Sequence, residues 1–294
     1  YKVLPMLPEV ISNGLCSLKQ DEDRLTMTAE MHFNYIGDLL HFDYYRSKIR
    51  VNKRLTYKIA EKILDTKEPK EYYEILDKIK KIAFILKEKR LSMGRLDLTL
   101  ADEEMVFDGH NIKEIIQADR LKSNMIIEEC MLSANECVAK ILKEKKIPSL
   151  YRVHEAITEE SKSSLRQFLK LFNIKLSKDK NPGVELQNIV ESVVGKDYEK
   201  VVNLVILKSM QQAFYGPKPF GHFGLGFTDY THFTSPIRRY PDLIVHRCLK
   251  SLIDEEKPIY TFEKLIRIGD HSSERERIAQ KAERDLVKLK SCRI

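Results

Sequence analysis

Apolar and polar residues alternate one by one through RLTMTAEMHF, residues 24–33. Leu25, Met27, Ala29, Met31 and Phe33 fall on one side, and Thr26, Thr28, Glu30 and His32 on the other. That two-residue period predicts a half-buried strand. A turn at Gly37-Asp38 and a second extended run, HFDYYRSKIRV, complete an expected hairpin with a connection longer than two residues. The period then changes. Ile75, Ile79, Ile82 and Leu86 recur at helical spacing within 70–91, and 53–65 reads as a shorter helix. Short strands are expected at 95–100, 104–107 and 112–117, a long helix at 122–146 and a buried strand at 151–155. Helices follow at 158–171, 184–194, 197–213, 235–254 and 261–290. Strands gather early and helices late, which predicts an α+β fold rather than an alternating βαβ one.

Within MIIEECMLSANECVAKIL, residues 125–142, the spacing of Glu129, Ser133, Glu136 and Lys140 predicts a solvent face. Ile127, Cys130, Met131, Ala134 and Val138 form the expected core face. Glu128 shares a flank with Asn124 and Asn135. Such a polar line is either a structural hydrogen-bond network or a site wall where a carboxylate accepts from a substrate hydroxyl.

Farther on, Gly216, Gly221, Gly224 and Gly226 crowd into eleven residues, allowing tight turns without forming a dinucleotide fingerprint. Phe220, Phe223, Phe227, Tyr230 and Phe233 are expected in the core. Ser235 as N-cap and Pro236 at the first helical position predict a helix start. Pro241 requires that this helix either kink or truly begin there. Arg238 and Arg239 conflict with the positive end of the helix by about 0.3–1 kcal/mol each. A bound anion would remove the conflict, or Asp242 would neutralise one of them.

Charge adds a second cationic stretch. RSKIRVNKRLTYKIA (46–60) holds Arg46, Lys48, Arg50, Lys53, Arg54 and Lys58 and no acid. A strand would put Arg46, Lys48 and Arg50 on one face, suited either to a phosphate backbone or to a solvated edge. A net charge of +7 leans toward polyanions. With 32% charged and 43% hydrophobic residues, disordered and collagen-like classes are excluded, and 294 residues suit one large domain. No apolar run approaches the ~20 residues of a membrane span. YKVLPMLPEV has no signal-peptide character and no initiator Met, so a piece of a longer protein is expected. Five cysteines, none in a C-x-x-C, fit a reducing cytoplasm.

VLPMLPEVISNGLCSL (3–18), IIEECMLSANE (126–136), LYRVHEA (150–156), GHFGLGF (221–227) and HFTSPIRRYPDLIVHR (232–247) occur in that order. Together they resemble the RNB catalytic domain of the ribonuclease R / ribonuclease II family, across residues 1–294. The resemblance implies a mixed or antiparallel sheet core packed with long helices around a central channel. It also implies processive 3′→5′ hydrolysis of single-stranded RNA to nucleoside 5′-monophosphates, with Mg2+ at the channel's base. Arg238 corresponds to the family's catalytic arginine at the scissile phosphate. Tyr57 corresponds to a tyrosine near the terminal nucleotides, and Glu128 to a glutamate that engages the terminal ribose and selects RNA over DNA. Thr234, Ser235, Arg239, Arg50, Arg54 and His222 are the expected RNA-contacting positions. A monomer acting on an RNA 3′ end, with no membrane partner, is expected.

Two departures stand out. The family's metal-binding aspartates lie upstream of the PMLP segment, so the chain from Tyr1 is expected to lack the metal site and to be inactive alone. The flanking cold-shock and S1 modules are likewise not in it. Asp21, Glu22 and Asp23 read as a solvated turn rather than as substitute ligands. Leu98 stands where many members place a base-stacking phenylalanine, forfeiting part of a contact worth ~1–3 kcal/mol. The alternative to an enzyme is a non-catalytic protein that binds single-stranded RNA in the same channel.

Overall fold

A computed structural model describes residues 4–98, 103–108, 111–117, 121–176 and 181–291, with the backbone alone for 103–108 and 111–117. A short π-helix, Val10–Leu15, precedes the first hairpin, β1 (Asp23–Phe33) and β2 (Leu39–Arg50). In its turn Asn34 Oδ1 accepts from the backbone N–H groups of Ile36 and Asp38 at 3.1 and 2.8 Å, and Gly37 takes the left-handed φ of +77°. Helices α1 (Tyr57–Thr66) and α2 (Lys70–Ser92) follow, then a second hairpin, β3 (Glu103–Asp108) with β4 (Asn111–Gln117). Next come α3 (Lys122–Glu144), β5 (Tyr151–Val153), and the helices α4 (Glu159–Lys170), α5 (Pro182–Ser192) and α6 (Glu199–Ser209). Strand β6 (Phe214–Gly216), α7 (Tyr240–Ile253) and α8 (Phe262–Ser291) complete the chain. The described strands pair two by two, β1–β2, β3–β4 and β5–β6, all antiparallel.

Helix α3 is the spine. Its Ala134, Val138 and Leu142 meet Ile244, Val245, Cys248 and Leu249 of α7, with Tyr260 and Leu265. Its Ile126 meets α1 and α2, and its Ala139 meets β5. Each valine, leucine or isoleucine among them, fully buried, contributes roughly 1.5–3 kcal/mol. The alternating face of β1 supplies Met27, Ala29 and Met31 to the main core, joined across the register by Phe42 and Tyr44. Leu25, opposite Lys48 near the open end of the hairpin, is 88% exposed. A second core belongs to α4, α5 and α6, and Leu96 and Leu98 pack into it. Leu98 is therefore a partner of that apolar cluster.

Three expectations need correction. The helical stripe Glu129–Ser133 is buried, at 0% and 2% exposure, whereas Ile127 and Cys130 face outward. Arg90 and Arg95 meet that stripe inside the protein, as described below. Residues 95–98 do not form a strand; 99 and 100 lie outside the described residues. Gly94, at φ +100°, ends α2, and the next backbone donors go elsewhere: Leu96 N–H to Gly224 O at 3.0 Å and Asp97 N–H to Gln187 Oε1 at 2.8 Å. Finally, α7 starts at Tyr240, not at Ser235. Pro241 has no N–H to close an earlier helical turn, so the helix begins there and 236–238 is a separate turn.

Candidate active site

The turn that carries the arginine pair is fastened from two sides. On α3, the buried Asn135 accepts through Oδ1 from the N–H groups of Phe233 (2.9 Å) and Thr234 (3.2 Å). Its Nδ2 donates to Tyr230 Oη at 3.0 Å. From α7, the fully buried Asp242 accepts through Oδ1 from Ser235 N–H (2.8 Å) and from Arg239 Nη2 (2.7 Å). The anion at this helix start is thus the protein's own carboxylate, which suits the helix dipole and occupies Arg239. Arg238 differs: it is exposed and has no ion-pair partner among the described residues. A rigid turn therefore presents one uncommitted guanidinium. Asp242 Oδ2, Arg239 Nε, Thr234 Oγ1 and His222 Nδ1 are buried and have no hydrogen-bond partner among the described residues.

Glu128 lies seven residues before Asn135 on α3, about 10 Å along the helix axis. Its side chain is 43% exposed and pairs with the buried Arg95. The same guanidinium reaches Glu129, whose other oxygen accepts from Arg90. Arg90 also donates to Ser133 Oγ at 2.7 Å and lies 5.2 Å from the Phe227 ring centroid. Burial lowers the Arg90 pKa to about 10, a value that leaves it charged near neutrality. Neither Arg90 nor Arg95 stood out in the sequence. Their acids lie 34 and 39 positions away, beyond the reach of any local pattern.

Tyr57 opens α1 and is 48% exposed. Its carbonyl accepts from Ser123 Oγ at 3.0 Å, and Glu61 accepts from Ser123 N–H at 2.9 Å. Those bonds fasten the start of α1 to the end of α3 that carries Glu128. Arg54 is exposed, and no ion-pair partner of its side chain occurs among the described residues.

The row Arg46, Lys48 and Arg50 is not without counter-charge. Arg46 pairs with Asp254, and Lys48 and Arg50 both pair with Asp23, each at 2.7 Å. Hydrogen bonds from Arg50 and Lys48 hold the Asp23 carboxyl down at about 2. Counter-charges therefore ease the repulsion among these three cations, which was the reason for expecting phosphate there.

Histidines cluster behind the turn. His222 stands edge-on to His154, ring centroids 4.9 Å apart, and to Tyr230 at 5.3 Å; His232 stands edge-on to Tyr230 at 5.7 Å. Burial pushes the His222 imidazole down to about 3 and that of His232 to about 2, with nearby positive charges adding to the effect. His154 Nδ1 accepts from Gly224 N–H at 3.1 Å while Nε2 faces Gln211 O at 2.7 Å, an arrangement that fits the neutral ring. These imidazoles are wall material rather than cations.

Among the described residues no three His, Cys, Asp or Glu side chains converge as a metal site. The described residues therefore do not fit the Mg2+ that the resemblance implies.

The fold and site define a class: an α+β domain with a free arginine on a pinned turn, beside a helix bearing paired glutamates. The chain belongs to the RNB domain family, whose profile matches residues 1–255. It is similar to ribonuclease R of Thermotoga maritima, 39% identical over 302 residues that cover 98% of this chain and 42% of that protein. Ribonuclease R of Escherichia coli K12 is 33% identical over 309 residues, covering 99% and 38%. Among solved structures, Mycoplasma genitalium RNase R in complex with ribose-methylated single-stranded RNA superimposes with a TM-score of 0.90. It is 28% identical, with 98% of this chain and 47% of that one covered. The chain thus spans about two-fifths of the length of the curated relatives it matches. No described helix is long and apolar enough to cross a membrane.

Proposed function

We propose that this chain is the catalytic-domain portion of a 3′→5′ exoribonuclease that hydrolyses single-stranded RNA to nucleoside 5′-monophosphates. The observation that carries the reading is the asymmetry of the arginine pair. Asp242 binds Arg239 and the Ser235 backbone, while Arg238 projects free from the turn they fix. A planar guanidinium held in place can stabilise charge that builds on a phosphoryl group without reorganising. Glu128 and Tyr57 sit where α1 and α3 are joined and supply an acceptor and a phenol for the terminal ribose. The exposed Arg54 serves the RNA backbone more readily than Arg50, which Asp23 holds. Ser235, Thr234, Arg239 and His222 shape the turn and its surroundings. RNA-bound structures of the Mycoplasma relative, with single- and double-stranded RNA, support a nucleic-acid ligand.

In this reading the acids that hold a divalent metal precede Tyr1 in the longer protein, where cold-shock and S1 modules also flank the domain. The protein works as a cytoplasmic monomer. The test is single-turnover degradation of single-stranded RNA by the complete protein. Arg238→Ala should cut the rate at saturating enzyme by at least about a hundredfold, as loss of one preorganised donor does elsewhere. RNA affinity should change only severalfold. Equal losses in rate and affinity would make Arg238 a binding residue and sink the catalytic assignment. Comparing this chain alone with the complete protein across a Mg2+ titration tests where the metal ligands lie.

A further inference from the structure

We propose that Arg95 is a positioning residue for Glu128, and that its fork sets the discrimination of RNA from DNA; this rests on Glu128 reading the terminal ribose. One guanidinium serves two successive glutamates of α3. Arg95 Nη1 holds Glu129, which is wholly buried, while Nη2 holds Glu128 Oε1 at the margin of the interior. Oε2 of Glu128 has no partner among the described residues. A carboxylate fixed through one oxygen keeps the other as an acceptor for a ribose hydroxyl, which is itself a donor.

The fork cannot drift. Arg95 is 3% exposed, and its own N–H donates to Arg90 O at 3.0 Å. The next N–H, of Leu96, donates to Gly224 O at 3.0 Å, so the glycine-rich segment grips the same backbone. A Cβ added at Gly226 would stand 3.1 Å from Arg95 N, which shows how closely that segment packs. Arg90, from the neighbouring turn of α2, holds Glu129 from the other side and does not touch Glu128. The two arginines therefore share Glu129 but not Glu128. That difference separates a positioning role from general support of the fold. Lysine would not reproduce the fork, because its donors radiate from one nitrogen, whereas Arg95 meets Glu129 and Glu128 from two nitrogens set apart in a rigid plane.

The experiment uses the complete protein and two RNA oligomers that differ only in a 2′-deoxy terminal nucleotide. The readout is the ratio of their cleavage rates, alongside thermal midpoints. A hydroxyl contact to a charged acceptor is worth about tenfold or more. Arg95→Lys should lower the ratio about tenfold, close to the effect of Glu128→Gln, and the double variant should go no lower than Glu128→Gln alone. Arg90→Lys should lower the thermal midpoint while leaving the ratio within about twofold, the reach of an indirect effect.

If Glu128→Gln lowers the ratio and Arg95→Lys does not, the positioning role is overturned while ribose reading stands. Equal falls in the ratio for Arg90→Lys and Arg95→Lys would also overturn it, by pointing to general loosening. An unchanged ratio for Glu128→Gln sinks ribose reading and the proposal together. Should Arg95→Lys not fold, Arg95→Gln, which leaves the Arg90–Glu129 ion pair in place, carries the same comparison.

Discussion

Two arginines and two glutamates form a neutral quartet at the core's edge, with Glu129 at its centre and fully enclosed. Bringing four charges out of water is costly, and their mutual attraction offsets that cost only while every partner is present. Removing the shared acid leaves two enclosed guanidinium groups, Arg90 with no ion-pair partner among the described residues and Arg95 with only the half-exposed Glu128. Glu129→Ala should therefore destabilise the protein by about 3–5 kcal/mol, read from urea unfolding midpoints at constant slope. A loss below about 1 kcal/mol would mean that water or another acid compensates. The same reasoning applies to Asp242, which supports the arginine turn from a fully buried position. These acids hold the site in shape; Arg238 and Glu128 are the side chains left facing outward. Sequence spacing identified Glu128 and Arg238 as marginal or mismatched positions. It could not identify Arg95, whose partners lie more than thirty positions away.

Helix ends decide how the site is assembled. Gly94 terminates α2 in a left-handed conformation and stacks on the first turn of α5. A Cβ there would meet Val184 N at 2.8 Å, and one at Gly183 would meet Gly94 O at 2.6 Å. Both strain and collision therefore oppose a side chain at Gly94. Gly94→Ala should cost at least about 1–3 kcal/mol. Because Arg95 is the next residue, RNA-versus-deoxy discrimination should fall in those molecules that still fold. Differential scanning calorimetry and the rate-ratio assay check the two parts, and an unshifted transition would contradict the close packing of α2 on α5. At the start of α7 it is Pro241 rather than Ser235 that fixes the boundary. The five-residue difference turns a presumed helical segment into the pinned loop on which Arg238 stands. Both outcomes at Pro241 were legible in the sequence. Choosing between them required the hydrogen bonds from Ser235 and Thr234 to side chains of α7 and α3.

Across the molecule, the histidines make folding sensitive to acid. His154, His222, His232 and His246 are all pushed below the usual imidazole value of 6.5, with burial as the leading cause. Their folded-state values are depressed, so their contribution to stability is complete above about pH 6.5 and declines as pH falls below it. Each imidazole kept neutral in the fold costs up to about 1.4 kcal/mol of stability per pH unit below that point. Arg239 and Arg152 add to that effect by opposing protonation of His232. Unfolding free energy should therefore drop between pH 7 and pH 5, before carboxylates such as Asp23, held at about 2, begin to protonate. A flat profile over that interval, measured by chemical denaturation, would show that these rings are already charged or hydrated.

The elements came in the expected order because strand alternation, helical recurrence, glycine at turns and proline at starts are written by near neighbours in the chain. That local grammar also supplied the α+β class and marked Arg238 and Glu128 as residues worth watching; Tyr57 came only from the family resemblance. The orientation of α3 did not follow, since a Glu–Ser stripe is solvent-seeking only until distant cations neutralise it. The cationic strand likewise has counter-charges, Asp23 and Asp254, that its own run of residues does not show. Whether a charge faces water or another charge depends on which remote segments folding brings within contact, and Coulomb attraction in a desolvated interior then overrides periodicity.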